Sequence, residues 1–188
     1  MTQRQRRVRD RTERGQRIVT AARELAEAEG WDAVTTRRLA ALIEYSQPVL
    51  YSHFPGGKEA IMAAAALEGF AELAATLVAA RPGGLGGVAE AYVAFAEVKP
   101  GLYDAMFTHA SELRFAQDDT PDVMKACFEE LFAVIQPTAD ERNAGALTEV
   151  FWSTLHGLVM LDRGHRLSPV HRGERLALVV ERFGARGD

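Results

Sequence analysis

The chain has 188 residues, 47% of them hydrophobic and 26% charged, a composition that builds a folded core and excludes a low-complexity or disordered chain. Its formal net charge is −4, but residues 1–58 carry eleven Lys and Arg against seven Asp and Glu (+4) and the remainder eleven against nineteen (−8), so basic charge is concentrated at one end. The single cysteine, Cys127, excludes an internal disulfide framework and fits a reducing cytosol.

Cys127 falls in the apolar run Val123 to Ile135 and reads as a small buried hydrophobe, not a redox sensor. No apolar run reads as long enough to span a bilayer, and the N-terminal arginines are followed by no apolar signal-peptide region. A cytoplasmic protein with no membrane partner is expected.

Residues 1–17 hold Arg4, Arg6, Arg7, Arg9, Arg11, Arg14 and Arg17 against only Asp10 and Glu13. This arm is expected to be disordered when free and partly ordered on DNA, where arginines follow phosphates or enter a minor groove. Ile18, Ala22 and Leu25 then form the core stripe of a first long helix, ended by Gly30. Trp31 is expected to seal a small three-helix core.

Thr35 precedes Leu39, Leu42 and Ile43, whose spacing marks one face of a helix over roughly Thr36 to Ile43 with Thr35 as its cap. Ser46 opens a second helix with Pro48 in its first turn, where a missing N–H costs nothing. Val49, Leu50 and Phe54 give that helix its inward side. Gln47, Val49 or Tyr51, Ser52 and His53 remain outward, and Thr36, Arg37 and Arg38 stand at the start of the first helix. Such side chains suit base edges and phosphates, and a helix of this length fits a major groove.

The pieces Thr-Thr-Arg-Arg-Leu-Ala and Gln-Pro-Val-Leu-Tyr-Ser-His-Phe, followed by Lys58-Glu59-Ala60-Ile61, resemble the helix-turn-helix domain of the TetR family of transcriptional regulators. The resemblance implies base contacts from Gln47 and Arg37, Tyr51 between base and backbone, Pro48 and Val49 at the helix start, and phosphate contacts from Thr36, Ser46, His53 and Lys58. Arg4, Arg6 and Arg7 join them from the arm. Two departures from the family pattern stand out. At the turn, Ile43-Glu44-Tyr45-Ser46 replaces Ala-Gly-Val-Ser, so Glu44 must take positive φ at a cost of about 1 kcal/mol. Pro55-Gly56-Gly57-Lys58 is one residue longer than the commonest spacing.

Beyond this, an alanine-rich helix is expected over Lys58 to Ala80, and Pro82 to Gly87 reads as a connection lacking the order of a phosphate-cradling loop. Helices follow over Val88 to Val98, broken by Pro100-Gly101, then over Asp122 to Gln136 and Ala139 to Arg163, and a last amphipathic one carries Leu176, Val179, Val180 and Phe183. The helix after Ala139 is apolar almost all round, which suggests burial against a second copy, the helices over Asp122 to Gln136 and Ala139 to Arg163 pairing with their two-fold mates as a four-helix interface. Its Trp152, His156 and Gly157 resemble a Trp and His-Gly regulatory domain found in one branch of the family.

Enzyme motifs are missing from the sequence. The histidines form no HExxH spacing, the pairs His109/Glu112 and Asp162/His165 are of a kind that arises by chance, and there is no nucleophile elbow or P-loop. No catalytic residue, metal site or cofactor is expected. The reading is an all-α chain with a helix-turn-helix domain at 1–58 and a larger helical domain at 59–188, forming a homodimer that binds double-stranded palindromic operator DNA as a repressor of nearby genes. A small-molecule ligand is expected among Phe70, Tyr92, Phe95, Met106, Phe107, Trp152 and His156. The alternative is a helical adaptor whose basic arm contacts protein or membrane.

Overall fold

The computed structural model describes residues 2–109, 113–140 and 142–185, and every regular element among them is helical. The order is α1 Gln3–Glu29, α2 Thr36–Leu42, α3 Gln47–His53, α4 Lys58–Ala80, α5 Gly84–Val98, α6 Pro100–Asp104, α7 Asp122–Ile135, α8 Ala144–Arg163 and α9 Arg172–Gly184. These form two compact units, Met1–Gly69 with Lys99–Arg114, and Phe70–Val98 with Phe115–Asp188. A boundary at residue 58 coincides with the start of α4, whose residues up to Gly69 belong to the first unit.

In the first unit, Ile18, Val19, Ala22, Leu25 and Ala26 of α1 are buried, together with Trp31, Val34, Leu39, Leu50, Ile61 and Ala65. Trp31 is 3% exposed and its indole N–H donates to the carbonyl of Gly101 at 2.7 Å, so it seals this core as expected. The arm is not disordered. Thr2 and Gln5 form a reciprocal capping box at its start, and a single helix of 27 residues runs from Gln3 to Glu29. Arginine is a good helix former and no proline interrupts the run, so missing apolar periodicity did not mean missing helix.

Helix α6 and the π turn Ala105–His109 that follows it were not foreseen behind Pro100-Gly101. Pro100 is the first residue of α6, where its lost N–H is harmless. The Glu27 carboxylate of α1 accepts from the N–H groups of Gly101 at 2.9 Å and Leu102 at 2.8 Å. The orphan donors of α6 are thus met by a side chain 74 and 75 residues away in sequence. Of the pair His109 and Glu112, Glu112 lies outside the described residues.

In the second unit, Phe70, Leu73 and Leu77 of α4 share a core with Val88, Tyr92 and Phe95 of α5, Met124, Cys127 and Leu131 of α7, and Phe151, Leu155 and Val159 of α8. Helix α9 has no buried residue. The Phe183 ring meets Phe151 at 5.1 Å, and Arg175 binds Asp162 at 2.9 Å. The glycine-rich connection is shorter than expected, with α5 beginning already at Gly84. A Cβ on Gly87 would lie 2.8 Å from the Ala80 carbonyl, so glycine lets α5 start tight against the end of α4. Helix α8 begins at Ala144, five residues later than expected, after a 3-10 turn Gln136–Thr138.

One expectation about apolar runs needs correction. Within Lys58–Val98 an 18-residue window has a mean hydropathy of 1.6, long and apolar enough by composition to cross a bilayer. Half of that window is buried inside the protein, and its alanines pack in helical cores, which accounts for the value.

A Cβ on Gly101 would sit 2.9 Å from the carbonyl carbon and oxygen of Ala26 and 3.0 Å from the Glu27 nitrogen, all backbone that cannot yield. Gly101→Ala should destabilise the chain by about 1–3 kcal/mol in urea unfolding. Gly145→Ala, with nothing within 4 Å of the new methyl, should leave the midpoint unchanged or slightly higher.

Candidate nucleic-acid interface

Helices α2 and α3 are each only seven residues long, too short to persist alone, so their ends carry the geometry. The Thr35 side chain accepts from the Arg38 N–H at 3.1 Å. Past Ile43, Glu44 takes φ 57°, the left-handed conformation expected of it, and the Tyr45 N–H returns to the Ala40 carbonyl at 2.9 Å. This is the six-to-one bond of a Schellman ending, formed here without glycine. The Arg17 guanidinium lies 5.2 Å from the centre of the Tyr45 ring, which ties the turn to α1.

Ser46 occupies the cap position of α3 in extended conformation, but its hydroxyl makes no capping bond. Its carbonyl accepts from Val49 at 3.0 Å and Leu50 at 3.3 Å. Leu50, 1% exposed, fixes the rotation of α3. Gln47, Pro48, Tyr51 and Ser52 are consequently exposed, and Val49 and His53 half-buried. Beside them Arg37 is exposed and Thr36 half-buried. Gly57 lies close to both the Tyr51 ring and Thr36: a Cβ there would stand 3.4 Å and 3.9 Å from them.

The structure therefore brings Thr36, Arg37, Ser46, Gln47, Pro48, Val49 and Tyr51 together on α2, α3 and the turn between them. Arg38 is bound instead to the Glu29 carboxylate by both terminal guanidinium nitrogens, which holds that carboxyl below its usual range. Lys58 is also engaged, its ammonium donating to the Trp31 carbonyl at 2.6 Å.

The sequence placed Arg11 and Arg14 in the basic arm but not against α3. Arg11 donates to the Ser52 carbonyl at 2.8 Å, near the C-terminal end of α3 where a cation is favoured. Burial and the charges of Arg11 and Arg14 lower the pKa of His53. Arg4, Arg6 and Arg7 are exposed along the first turns of α1.

Of the residues expected around a ligand, Phe70, Tyr92 and Phe95 are buried in the second unit, at 1%, 1% and 6% exposure. Trp152 and His156 are half-buried there. The Phe115 ring, which the sequence did not single out, meets Phe70 edge-on at 5.4 Å and Trp152 at 4.8 Å. The Trp152 indole donates to the Tyr92 hydroxyl at 3.0 Å, so one aromatic cluster joins three of the expected side chains with Phe115. A cavity of about 510 Å³ opens beside it between Phe115, Thr120, Met124, Phe128 and Trp152. A second, of about 600 Å³, lies between α5, α8 and α9. Met106 and Phe107 belong to the first unit, where Met106 is buried and the Phe107 ring meets Tyr103 at a tilt, 4.6 Å between centres.

Cys127 is buried and free. Its thiol donates to the Phe70 carbonyl at 3.0 Å and burial pushes its pKa up to about 12, so it is a packing residue without thiolate reactivity. Among the described residues no cluster of His, Cys, Asp and Glu is arranged to hold a metal ion.

Two helices joined by a tight turn, packed on a third, define a helix-turn-helix DNA-binding fold. Comparison with known proteins agrees. Residues 18–65 match the bacterial regulatory proteins of the tetR family, and residues 85–183 match the tetracyclin repressor-like C-terminal domain. The HTH-type transcriptional regulator YobS of Bacillus subtilis (strain 168) is 31% identical over 151 residues, covering 77% of this chain and 76% of that protein. A protein of unknown function from Rhodococcus sp. RHA1 has a similar fold, with a TM-score of 0.71, 22% identity and coverage of 92% and 95%. A tetR-family regulatory protein from Rhodococcus RHA1 is similar with a TM-score of 0.62, 22% identity and coverage of 93% and 98%. The chain belongs to the TetR family. It is a helix-turn-helix transcriptional regulator that binds DNA, in a family of non-enzymes.

Burial alone holds the pKa of His156 below its ordinary value. The unfolded chain then binds the proton more tightly, so stability present above about pH 6.5 is lost as pH falls through the folded pKa. Between pH 7 and pH 5 the urea midpoint of the wild type should fall further than that of His156→Asn. Equal losses in the two proteins would place the acid sensitivity elsewhere.

Proposed function

We propose that this regulator is a cytoplasmic, ligand-responsive repressor that binds a palindromic operator as a homodimer and acts on genes near its own. The observation that carries the reading is the outward face of α3 and the start of α2. Gln47, Tyr51 and Arg37 project there from short helices whose every end is fixed by a bond described above. Gln is matched to adenine and Arg to guanine in the major groove. Phosphate contacts fall to Thr36, Ser46 and His53. For Lys58 the same role requires its ammonium to leave the Trp31 carbonyl.

Exposed apolar side chains on α8 and α9 support the dimer. Val150, Met160, Leu161 and Leu178 are 55%, 38%, 40% and 50% exposed. Such a spread over two adjacent helices favours burial against a two-fold mate through α8 and α9. Helix α7, expected as the second partner, keeps Met124, Cys127, Leu131, Val134 and Ile135 inside its own unit.

The aromatic cluster of Phe70, Tyr92, Phe115 and Trp152, beside a cavity large enough for a small apolar molecule, supports ligand control. A dimer on a palindrome holds its recognition helices about 34–36 Å apart, so a modest change in spacing spoils the second contact. A hundredfold loss of operator affinity needs a ligand preference of about 2.7 kcal/mol for the released conformation. By reciprocity, operator weakens ligand binding by the same factor. Repression follows if the occupied operator blocks polymerase.

Selection from a random duplex pool tests the whole reading. The chain should recover a two-fold symmetric site, and Gln47→Ala should lose about 1–3 kcal/mol on that site and little on random DNA. An adaptor using its basic arm on protein or membrane would select nothing. Wild-type protein sedimenting as a monomer at micromolar concentration would exclude the homodimer.

A further inference from the structure

We propose that α1 carries a second DNA-contacting surface, an arginine stripe formed by Arg4, Arg7, Arg11 and Arg14, which grips phosphates flanking the half-site read by α3. The proposal rests on the reading of α3 as the recognition helix and adds to it a distinct, sequence-independent contact made by a rigid helix. It begins from periodicity. At about 100° per residue, these four arginines all fall within about 40° of the direction of Ile18. That is the direction in which Ile18, Ala22 and Leu25 are buried in the helix-turn-helix core. One face of α1 is therefore apolar where it covers the domain and arginine where it runs past it.

The changeover is anchored by contacts. Arg11 already donates to the Ser52 carbonyl of α3, and a Cβ on Gly15 would lie 3.8 Å from the Nδ1 atom of His53. Arg14 and Arg11 both act on His53. The stripe thus starts at the C-terminal end of the recognition helix and continues outward through Arg7 and Arg4, both exposed. The flanks and the reverse of the helix differ. Arg9, about 180° from Ile18 on the same count, is paired with Glu13 at 3.2 Å, and Arg17 lies over Tyr45. Arg6 stands about 120° away, so the continuous helix parts it from Arg4 and Arg7, beside which the sequence placed it on phosphates. Asp10 sits about 80° to one side, half-buried.

Charge and dimensions single out duplex DNA as the occupant. Arg4 to Arg14 spans ten residues, or about 15 Å of helix. Phosphates of one strand recur about every 3.4 Å along the axis, so the stripe runs beside about four of them. The major groove is about 8.5 Å deep and a helix about 10–12 Å across. With α3 in the groove, the phosphate ridge beside it therefore rises toward the layer above. Four cations in the N-terminal half of a helix whose first turn holds no acid also oppose the helix dipole, a cost that nearby anions relieve.

The test compares two pairs of equal charge and spacing in the full chain. Affinity for the selected operator is measured from 0.05 to 0.4 M KCl for wild type, R4A/R7A and R6A/R9A, with circular dichroism to follow α1. R4A/R7A should lower the slope of log affinity against log salt by about two per protomer and weaken binding at least about tenfold at 0.1 M salt. R6A/R9A should give less than half of that change, and R4K/R7K should restore the wild-type slope. Hydroxyl-radical protection about four nucleotides outside the α3 contact should vanish in R4A/R7A alone. Equal effects of the two alanine pairs, or no slope change in R4A/R7A, would overturn the stripe while Gln47→Ala still reports on α3. A wild type that selects no duplex would instead overturn the reading of α3, and the stripe with it.

Discussion

The first unit depends on the closeness of two backbones, α1 at Ala26 and α6 at Gly101. No side chain fits between them, and the approach is sealed from both sides. The Trp31 indole holds the Gly101 carbonyl while the Glu27 carboxylate holds the Gly101 and Leu102 N–H groups. A carboxylate at a helix N-terminus is favoured by charge as well as by hydrogen bonding. A five-residue helix cannot stand on its own propensity, so α6 exists because α1 caps it. The residue that permits the approach, a glycine, is also the one whose two peptide groups are both claimed. That arrangement explains why residues after Pro100 join the helix-turn-helix unit although Phe70–Val98, the rest of α4 with α5 and their joint, belongs to the second unit.

The recognition helix is positioned by a similar division of labour. Leu50 sets its rotation by burial, the Schellman ending at Glu44 and Tyr45 sets its angle to α2, and Arg11 closes its far end. Glu44 bears a left-handed backbone at about 1 kcal/mol, a cost spread over a turn that Arg17 also clamps through the Tyr45 ring. Strain is tolerated here because the surrounding bonds over-determine the turn. The outward residues can then vary with little effect on the fold, as a reader of DNA sequence requires.

Much of this was legible because it obeys local rules. Thr35 as a cap, Gly30 as the end of α1 and the span of α4 each follow from a residue and its immediate neighbours, while positive φ at Glu44 follows from the resemblance to the family's turn. What escaped depends on partners far away in sequence, or on similarity between signals. Helix α6 needs Glu27, and the early start of α5 needs Gly87 against the Ala80 carbonyl. The beginning of α1 was hidden for a different reason. A run of arginines has the composition of a disordered tail, and only the capping box Thr2 with Gln5 marked a helix. In the second unit Phe115 lies outside any predicted helix, so nothing in the pattern joined it to Phe70 and Trp152.

The charge distribution carries the same lesson one step further. An excess of +4 over residues 1–58 says where cations are but not which way they face. Once α1 is known to be continuous, the spacing 4, 7, 11, 14, 18, 22, 25 is one helical stripe whose chemistry changes from arginine to aliphatic between Arg14 and Ile18. Burial demands the aliphatic half, since α1 must cover the core. Beyond Arg11, which closes the end of α3, no packing role is asked of the exposed Arg4 and Arg7, and a helix with nothing to cover gains nothing by keeping such cations in register. Apolar periodicity is explained by folding alone; a cationic continuation of the same period calls for an anionic surface lying along that face.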